Sequence, residues 1–199
     1  MGNSTGLKHN FTVEKNRSAS GAIPELPNFT AEVEDSNGGL LGWLVIHSVG
    51  RYGSCGGVRL YPDVSREEAA ILARVMTYKY CFHGLKFGGA KAVIQIPFDI
   101  AAEDRAQILE RFGEHIGPLI RAKVYLPWTD MNCSADDIMH IYKGAAMQDS
   151  VRPGNSSYYT ALSTHVSIVA AAKYLKLPAH RCSITIEAVS YTHLTLPTN

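Results

Sequence analysis

The sequence has neither a long apolar run nor an excess of charge of one sign. Its 199 residues contain 19 Lys and Arg against 18 Asp and Glu, so no strong field attracts nucleic acid or an anionic membrane. The longest apolar candidate, Val166 to Ala172, is far shorter than the roughly 20 residues that a membrane helix needs. We therefore expect no membrane or nucleic-acid partner, and a small polar or apolar molecule as the ligand.

Cysteine is sparse and scattered. The four cysteines form no C-x-x-C pair and have no histidines at metal-ligand spacing; they are Cys55, Cys81, Cys133 and Cys182. The pattern predicts neither a disulfide framework nor a metal site. The chain does not open with a basic segment followed by an apolar one, so a reducing cytoplasm is the expected compartment.

The composition divides the chain into a leader and a folded part. Residues 1–22 are rich in Ser, Gly, Asn and Lys without apolar periodicity, which is typical of a flexible leader. From residue 23 to residue 182, strand-like and helix-like patterns alternate. This alternation predicts one α/β domain over residues 23–182.

The predicted elements begin with a hairpin of 29–34 and 40–49. A glycine-rich stretch from Gly50 to Gly57 follows; it either lets backbone approach a ligand or is a plain turn before a strand at 58–61. A capping box from Ser65 to Glu68 predicts a helix to about Phe82. Further strands are predicted at 92–96, 122–126 and 183–187, and further helices at 102–116, 134–147 and 160–175.

Two lysines stand out as candidates for chemistry. Lys79 lies near the end of the first predicted helix, and Lys91 follows a double glycine at the edge of a predicted strand, so the two could share a cleft. A lone lysine is usually a solvated surface cation. Lys91, however, has small or apolar neighbours on both sides, and burial beside a second ammonium lowers the pKa of a lysine toward that of a working base.

Three motifs in order carry a family resemblance: Gly56-Gly57-Val58-Arg59, Met76-Thr77-Tyr78-Lys79 and Gly88-Gly89-Ala90-Lys91. They resemble those of the glutamate/leucine/phenylalanine/valine dehydrogenases, and the likeness extends from about Phe29 to Thr160. The resemblance implies a three-layer α/β domain with a mixed sheet, which binds substrate and dimerises. It also implies a separate Rossmann domain, and oxidative deamination of an L-α-amino acid with NAD or NADP by a homo-oligomer.

The same resemblance implies roles for individual residues. Lys79 would hold the substrate α-carboxylate, Lys91 would be the catalytic lysine, and Asp130 would shuttle a proton to the amino group. An isolated loop aspartate is otherwise most often a turn or capping residue, so the role of Asp130 depends on the resemblance. Residues expected beside the substrate are Cys55, Gly56, Gly57 and Met76, and Thr160 is expected beside the cofactor.

The end of the sequence departs from the family pattern. Residues 183–187 resemble the first strand of a Rossmann domain, but no G-x-G-x-x-G follows, and no glycine occurs after Gly154. We expect 183–187 to be the start of a truncated Rossmann domain and 188–199 to be a foreign tail. The chain by itself is then expected to be inactive.

Two alternatives remain open from the sequence. One is a non-catalytic interaction module, since the predicted hairpin offers a sheet edge for self-pairing. The other concerns the substrate. Glutamate-specific members carry a lysine directly before G-G-x-R, and this chain has Cys55 there, which favours an aliphatic or aromatic amino acid. Ile116-Gly117-Pro118 resembles the glutamate branch, which keeps glutamate as the alternative.

Overall fold

The computed structural model describes residues 27–34, 41–147, 152–154, 156–178 and 183. These residues belong to two compact units, one ending at Arg152 and one beginning at Pro153. The expected leader at 1–22, the expected tail at 188–199 and all of the strand at 183–187 except Ser183 lie outside the described residues.

A five-stranded mixed sheet forms the middle of the first unit, in the order β1-β2-β4-β3-β5. The strands are β1 (Phe29–Glu34), β2 (Leu41–Ile46), β3 (Ser54–Tyr61), β4 (Gly88–Gln95) and β5 (Tyr125–Thr129). Strands β1 and β2 are antiparallel, as are β2 and β4, whereas β3 runs parallel to both β4 and β5. The predicted strand pair and mixed sheet are confirmed.

Helices cover both faces of this sheet. Helix α1 (Arg66–Phe82) packs on one face, and α2 (Ala102–Arg121) and α3 (Ala135–Gly144) pack on the other. Because side chains alternate along a strand, each face has its own core. The α1 side is built on Val45, Val93, Ala69 and Ala73, and the larger α2/α3 side includes Leu44, Ile94, Leu109, Phe112, Ile116 and Ile138. The three-layer α/β architecture predicted from the sequence is confirmed.

Strands β3 and β4 begin earlier than predicted. The first half of β3 contains Gly56 and Gly57, and β4 begins at Gly88, so Lys91 lies inside a strand rather than at its edge. Glycine weakens strand propensity, but close packing requires it here. A Cβ on Gly89 would lie 2.2 Å from the backbone nitrogen of Thr77 in α1. In the stretch from Gly50 to Gly57, a turn closed by a bridge between Gly50 and Gly53 leads directly into β3, and the approach of a ligand to this backbone stays a prediction.

Two other boundaries were predicted wrongly. Helix α2 continues through Ile116-Gly117-Pro118 as far as Arg121 instead of ending at 116, because this segment packs on α3. Strand β5 begins at Tyr125 instead of Ala122. Lys123, at φ 56, adopts the left-handed conformation that ends a helix, which delays the strand.

The second unit contains helix α4 (Ser156–Tyr174), which begins four residues before the predicted start at Thr160. Across the part of the chain that the structure describes, no helix combines the length and apolar character needed to cross a membrane.

Candidate active site

Lys91 is buried beneath α1 in the interior of β4. Its side chain is 4% exposed, and its Nζ lies 2.7 Å from Oδ2 of Asp130. Burial lowers the pKa of Lys91 below its ordinary value, although the Asp130 carboxylate acts in the opposite direction. The apolar surroundings and the direction of the pKa shift agree with the sequence prediction. The neighbouring positive charge is Arg59, however, and not the predicted second lysine.

Asp130 directly follows β5 and receives two cations on one oxygen. Its Oδ2 accepts from Nζ of Lys91 and, at 2.9 Å, from Nε of Arg59. Burial would raise the pKa of Asp130, but the charge and hydrogen bond of Lys91, the backbone N–H of Met131 and Arg59 together outweigh it. The pKa is held below its usual value, so Asp130 is a carboxylate at neutral pH.

The double glycine of β3 makes room for this pair. A Cβ on Gly57 would lie 2.6 Å from Cβ of Asp130, and a Cβ on Gly56 would lie 1.6 Å from the carbonyl oxygen of Ala90. Both glycines therefore have a packing reason that involves protein atoms. Their contact with substrate stays a prediction.

A buried polar network fixes the end of α1. The hydroxyl of Thr77 lies 2.9 Å from Nδ1 of His47 and 2.8 Å from the hydroxyl of Ser48, which accepts from the N–H of Gly89. Because Gly89 belongs to β4, the last turn of α1 is tied to the start of that strand. Lys79 lies on this last turn, two residues after Thr77.

Lys79 is exposed and makes no ion pair with another described residue, whereas Lys91 and Asp130 are in contact. Lys79 lies on the last turn of α1, whereas Lys91 lies buried in β4, and the cleft expected between the two lysines stays a prediction. Thr160 lies on α4, and its carbonyl oxygen accepts from the hydroxyls of Ser163 and Thr164. The cofactor role of Thr160 stays a prediction.

Cys55 and Met76 lie on the inner side of the same layer, both half-buried. Cys55 shares the strand face of Arg59, and Tyr80 of α1 interacts with its thiol. Burial raises the pKa of Cys55, against the smaller effects of Tyr80 and the Gly56 backbone, so the thiol is neutral at neutral pH. Cys55 therefore carries no charge at the position expected beside the substrate side chain, and the contact of Cys55 and Met76 with substrate stays a prediction.

Sequence reasoning gave no role to Arg59 and Glu68. The Arg59 guanidinium spans the carboxylates of Asp130 and Glu68, which is on the first turn of α1. In the sequence, Arg59 is recognisable only as part of G-G-V-R, and Glu68 only as a capping residue. The alternation of side chains along β3 could have indicated that Arg59 points to the same face of the sheet as Lys91 on the neighbouring strand.

Among the described residues, no three His, Cys, Asp or Glu side chains come close enough to hold a metal ion. The residues described also do not fit a dinucleotide cradle. The three strand-to-helix junctions of the first unit, at 62–65, 96–101 and 130–134, contain no glycine, and a pyrophosphate cradle uses glycine at such a junction.

A family model for the Glu/Leu/Phe/Val dehydrogenase dimerisation domain matches residues 25–147. Valine dehydrogenase of Streptomyces virginiae is 31% identical over 152 residues, which are 71% of this chain and 41% of that protein. Glutamate dehydrogenase of Thermotoga maritima is 33% identical over 96 residues, which are 48% of this chain and 23% of that protein. The chain thus spans well under half the length of these relatives.

Solved structures show the same fold. A hetero-hexameric glutamate dehydrogenase from Thermus thermophilus superposes with a TM-score of 0.65 at 23% identity, covering 76% of this chain and 42% of that one. L-tryptophan dehydrogenase from Nostoc punctiforme gives a TM-score of 0.53 at 22% identity, covering 61% and 36%. The chain belongs to the Glu/Leu/Phe/Val dehydrogenase family and carries its dimerisation domain.

Proposed function

We propose that this domain binds the substrate and carries the reacting lysine in the oxidative deamination of an L-α-amino acid. The products are a 2-oxo acid and ammonia, and NAD or NADP is the acceptor in an intact parent enzyme. The observation that supports this most is the buried Lys91, in contact with the Asp130 carboxylate and beneath the helix that carries Lys79.

Lys91 is suited to activate water. Its lowered pKa leaves a larger neutral fraction of the amine near neutral pH than an exposed lysine has, and a neutral amine accepts a proton. Once hydride has left the α-carbon, the substrate is an iminium. Lys91 takes a proton from the water that adds to the iminium carbon.

Asp130 and Lys79 complete the set of groups that the reaction needs. The ionised Asp130 carboxylate accepts a proton from the substrate ammonium and returns it to nitrogen when ammonia leaves. Lys79 is exposed and not engaged by a described carboxylate, so its ammonium can bind the substrate carboxylate.

The acceptor supplies only the hydride-accepting carbon of its nicotinamide ring. Because the strand-to-helix junctions of the first unit do not fit a dinucleotide cradle, we assign the cofactor pyrophosphate to residues other than those described, and we keep Thr160 as the described residue proposed beside the cofactor.

A neutral amino acid is the proposed substrate class. The uncharged thiol of Cys55 and the adjacent Tyr80 offer no cation to a side-chain carboxylate. Burying a carboxylate without a partner costs several kcal/mol. An aliphatic or aromatic side chain has no such cost.

The proposed assembly is a homo-oligomer in the cytoplasm. Strand β1 is at the edge of the described sheet, and its outer side is available for antiparallel pairing with β1 of a second copy. Three described cysteines are free thiols, which is typical of a reducing compartment.

The test is reduction of NAD⁺ or NADP⁺ by the purified parent enzyme in the presence of neutral L-amino acids. We expect turnover with at least one of them, and loss of turnover in Lys91→Ala. A parent protein that dimerises but reduces neither nucleotide with any amino acid would instead be an interaction module.

A further inference from the structure

We propose that Arg59, anchored by Glu68, is a positioning residue that fixes the Asp130 carboxylate against Lys91. The importance of this arrangement for catalysis rests on the proposed function. The arrangement itself is a property of the four side chains and is tested on them directly.

The geometry shows one oxygen shared by two cations. Oδ2 of Asp130 lies 2.9 Å from Nε of Arg59 and 2.7 Å from Nζ of Lys91. The carboxylate is therefore held from two directions, by a strand residue of β3 and a strand residue of β4. Without Arg59, Lys91 and the backbone N–H of Met131 would hold the carboxylate, and the constraint from β3 would be lost.

Glu68 determines which part of the guanidinium reaches Asp130. Its carboxylate engages Nη1 of Arg59, which leaves Nε for Asp130. The guanidinium is planar with donors in fixed directions, so occupying one edge orients the other. Without Glu68, Arg59 is free to turn both of its donor edges to Asp130 and draw the carboxylate from Lys91.

The helix start explains why Glu68 is available. The Ser65 hydroxyl accepts from the backbone N–H of Glu68, so the first turn of α1 is fixed at this residue. In the predicted capping box, the Glu68 carboxylate would return to the backbone of Ser65. It binds Arg59 instead, and it therefore connects the start of α1 to the site.

The four groups alternate in charge from Glu68 through Arg59 and Asp130 to Lys91, and formally they sum to zero. Removing Glu68 leaves the positive charge of Arg59 without its second carboxylate near Lys91, and it weakens the contact between Lys91 and Asp130. Removing Arg59 deletes the competing cation and leaves Lys91 as the remaining ion-pair partner of Asp130. The two changes therefore move the protonation of Lys91 in opposite directions.

The experiment is an NMR titration of the full chain with isotope-labelled lysine, following the Cε signal of Lys91 from about pH 6 to pH 11. Lys91→Arg assigns the signal by removing it. Other titratable groups on this face of the sheet or on the adjoining side of α1 include Glu32, Glu34, His47, Cys55, Tyr61 and Tyr80, and these are unchanged in every variant.

The variants form a matched set. Glu68→Gln is compared with Glu67→Gln, which removes the same charge from the same helical turn at an exposed residue. Arg59→Gln removes the guanidinium, and Arg59→Lys keeps the charge but cannot span two carboxylates. Circular dichroism checks that each variant is folded. If an Arg59 variant does not fold, the comparison of Glu68→Gln with Glu67→Gln decides the test.

We expect Glu68→Gln to lower the Lys91 midpoint by roughly half a pH unit or more relative to Glu67→Gln, and Arg59→Gln to raise it. Removal of a charge by itself produces shifts of these signs, so Arg59→Lys, which keeps the charge and loses the span, separates positioning from charge. We expect it to move the Lys91 midpoint by roughly half a pH unit or more, and a wild-type midpoint in Arg59→Lys would overturn the proposal. Equal midpoints in Glu68→Gln and Glu67→Gln would overturn the proposal. This result does not depend on turnover, so it is separable from a failure of the proposed function.

Discussion

Gly57 and Asp130 fit together only because Gly57 has no side chain. A Cβ on Gly57 would lie 2.6 Å from Cβ of Asp130 and 3.0 Å from the carbonyl oxygen of Thr129. The strand glycine thus leaves the space in which the aspartate reaches Lys91.

Gly57→Ala is expected to displace Asp130 while the sheet still forms. A displacement of about 1 Å at a reacting group costs on the order of 10² in rate, so kcat/KM of the parent enzyme should fall by that factor. Gly154→Ala is the control, because nothing lies within 4 Å of a Cβ there. Steady-state kinetics with circular dichroism check this, and unchanged kcat/KM in Gly57→Ala would show that Asp130 tolerates the shift.

Asp137→Asn is expected to destabilise the domain by about 2–3 kcal/mol at neutral pH. Asp137 completes the capping box of α3 and accepts from Nε of Arg105 at 2.8 Å. Burial would raise the pKa of Asp137, but the Arg105 and Ser134 hydrogen bonds outweigh it and hold the pKa low. The measurement is the free energy of urea unfolding.

The pH dependence of this effect has a definite sign. Because folding lowers the pKa of Asp137, the stabilisation is complete above the ordinary aspartate pKa and disappears as the pH falls through the folded value. The difference between wild type and Asp137→Asn should therefore close in acid. Asp136→Asn, at an exposed neighbour, should cost well under 1 kcal/mol at either pH. A difference independent of pH would contradict the ion-pair account.

The elements of the first unit were largely predictable because each carries a local signal. Ser65 and Ser134 begin helices as their cap chemistry indicates, and the apolar patterns place the strands. The start of β4 was not predictable. Gly88 and Gly89 oppose strand formation locally. Close contact with Ser48, which follows β2, and with Thr77 of α1 requires them, and no local stretch of sequence contains that relation.

The candidate site was predictable in its residues but not in its connections. The family resemblance pointed to Lys91 and Asp130, whose 2.7 Å contact exists only once β4 and β5 lie on either side of β3. The ion pair of Arg59 and Glu68 was not predictable either. The sequence explains Glu68 as part of a capping motif, and its contact with Arg59 exists only when α1 packs on the sheet.

Cys55→Lys is expected to raise kcat/KM for glutamate in the parent enzyme by about tenfold or more, since it supplies a cation where the thiol is neutral. The measurement compares leucine, valine, phenylalanine and glutamate at equal concentration. Cys81→Lys adds the same charge at an exposed cysteine and is the control. Wild-type kcat/KM higher for glutamate than for the other three would show that a neutral substrate is wrong.

The most direct test of the central claim is a comparison of Lys91→Ala and Lys79→Ala in the parent enzyme. We predict that Lys91→Ala abolishes kcat, because the buried amine is the proposed base. Lys79→Ala should chiefly raise KM for the amino acid, by on the order of 10²–10³, because a charge-assisted contact of about 3–4 kcal/mol is lost. Small and equal effects of both substitutions on kcat and KM would contradict the account and leave both lysines as structural or solvated charges.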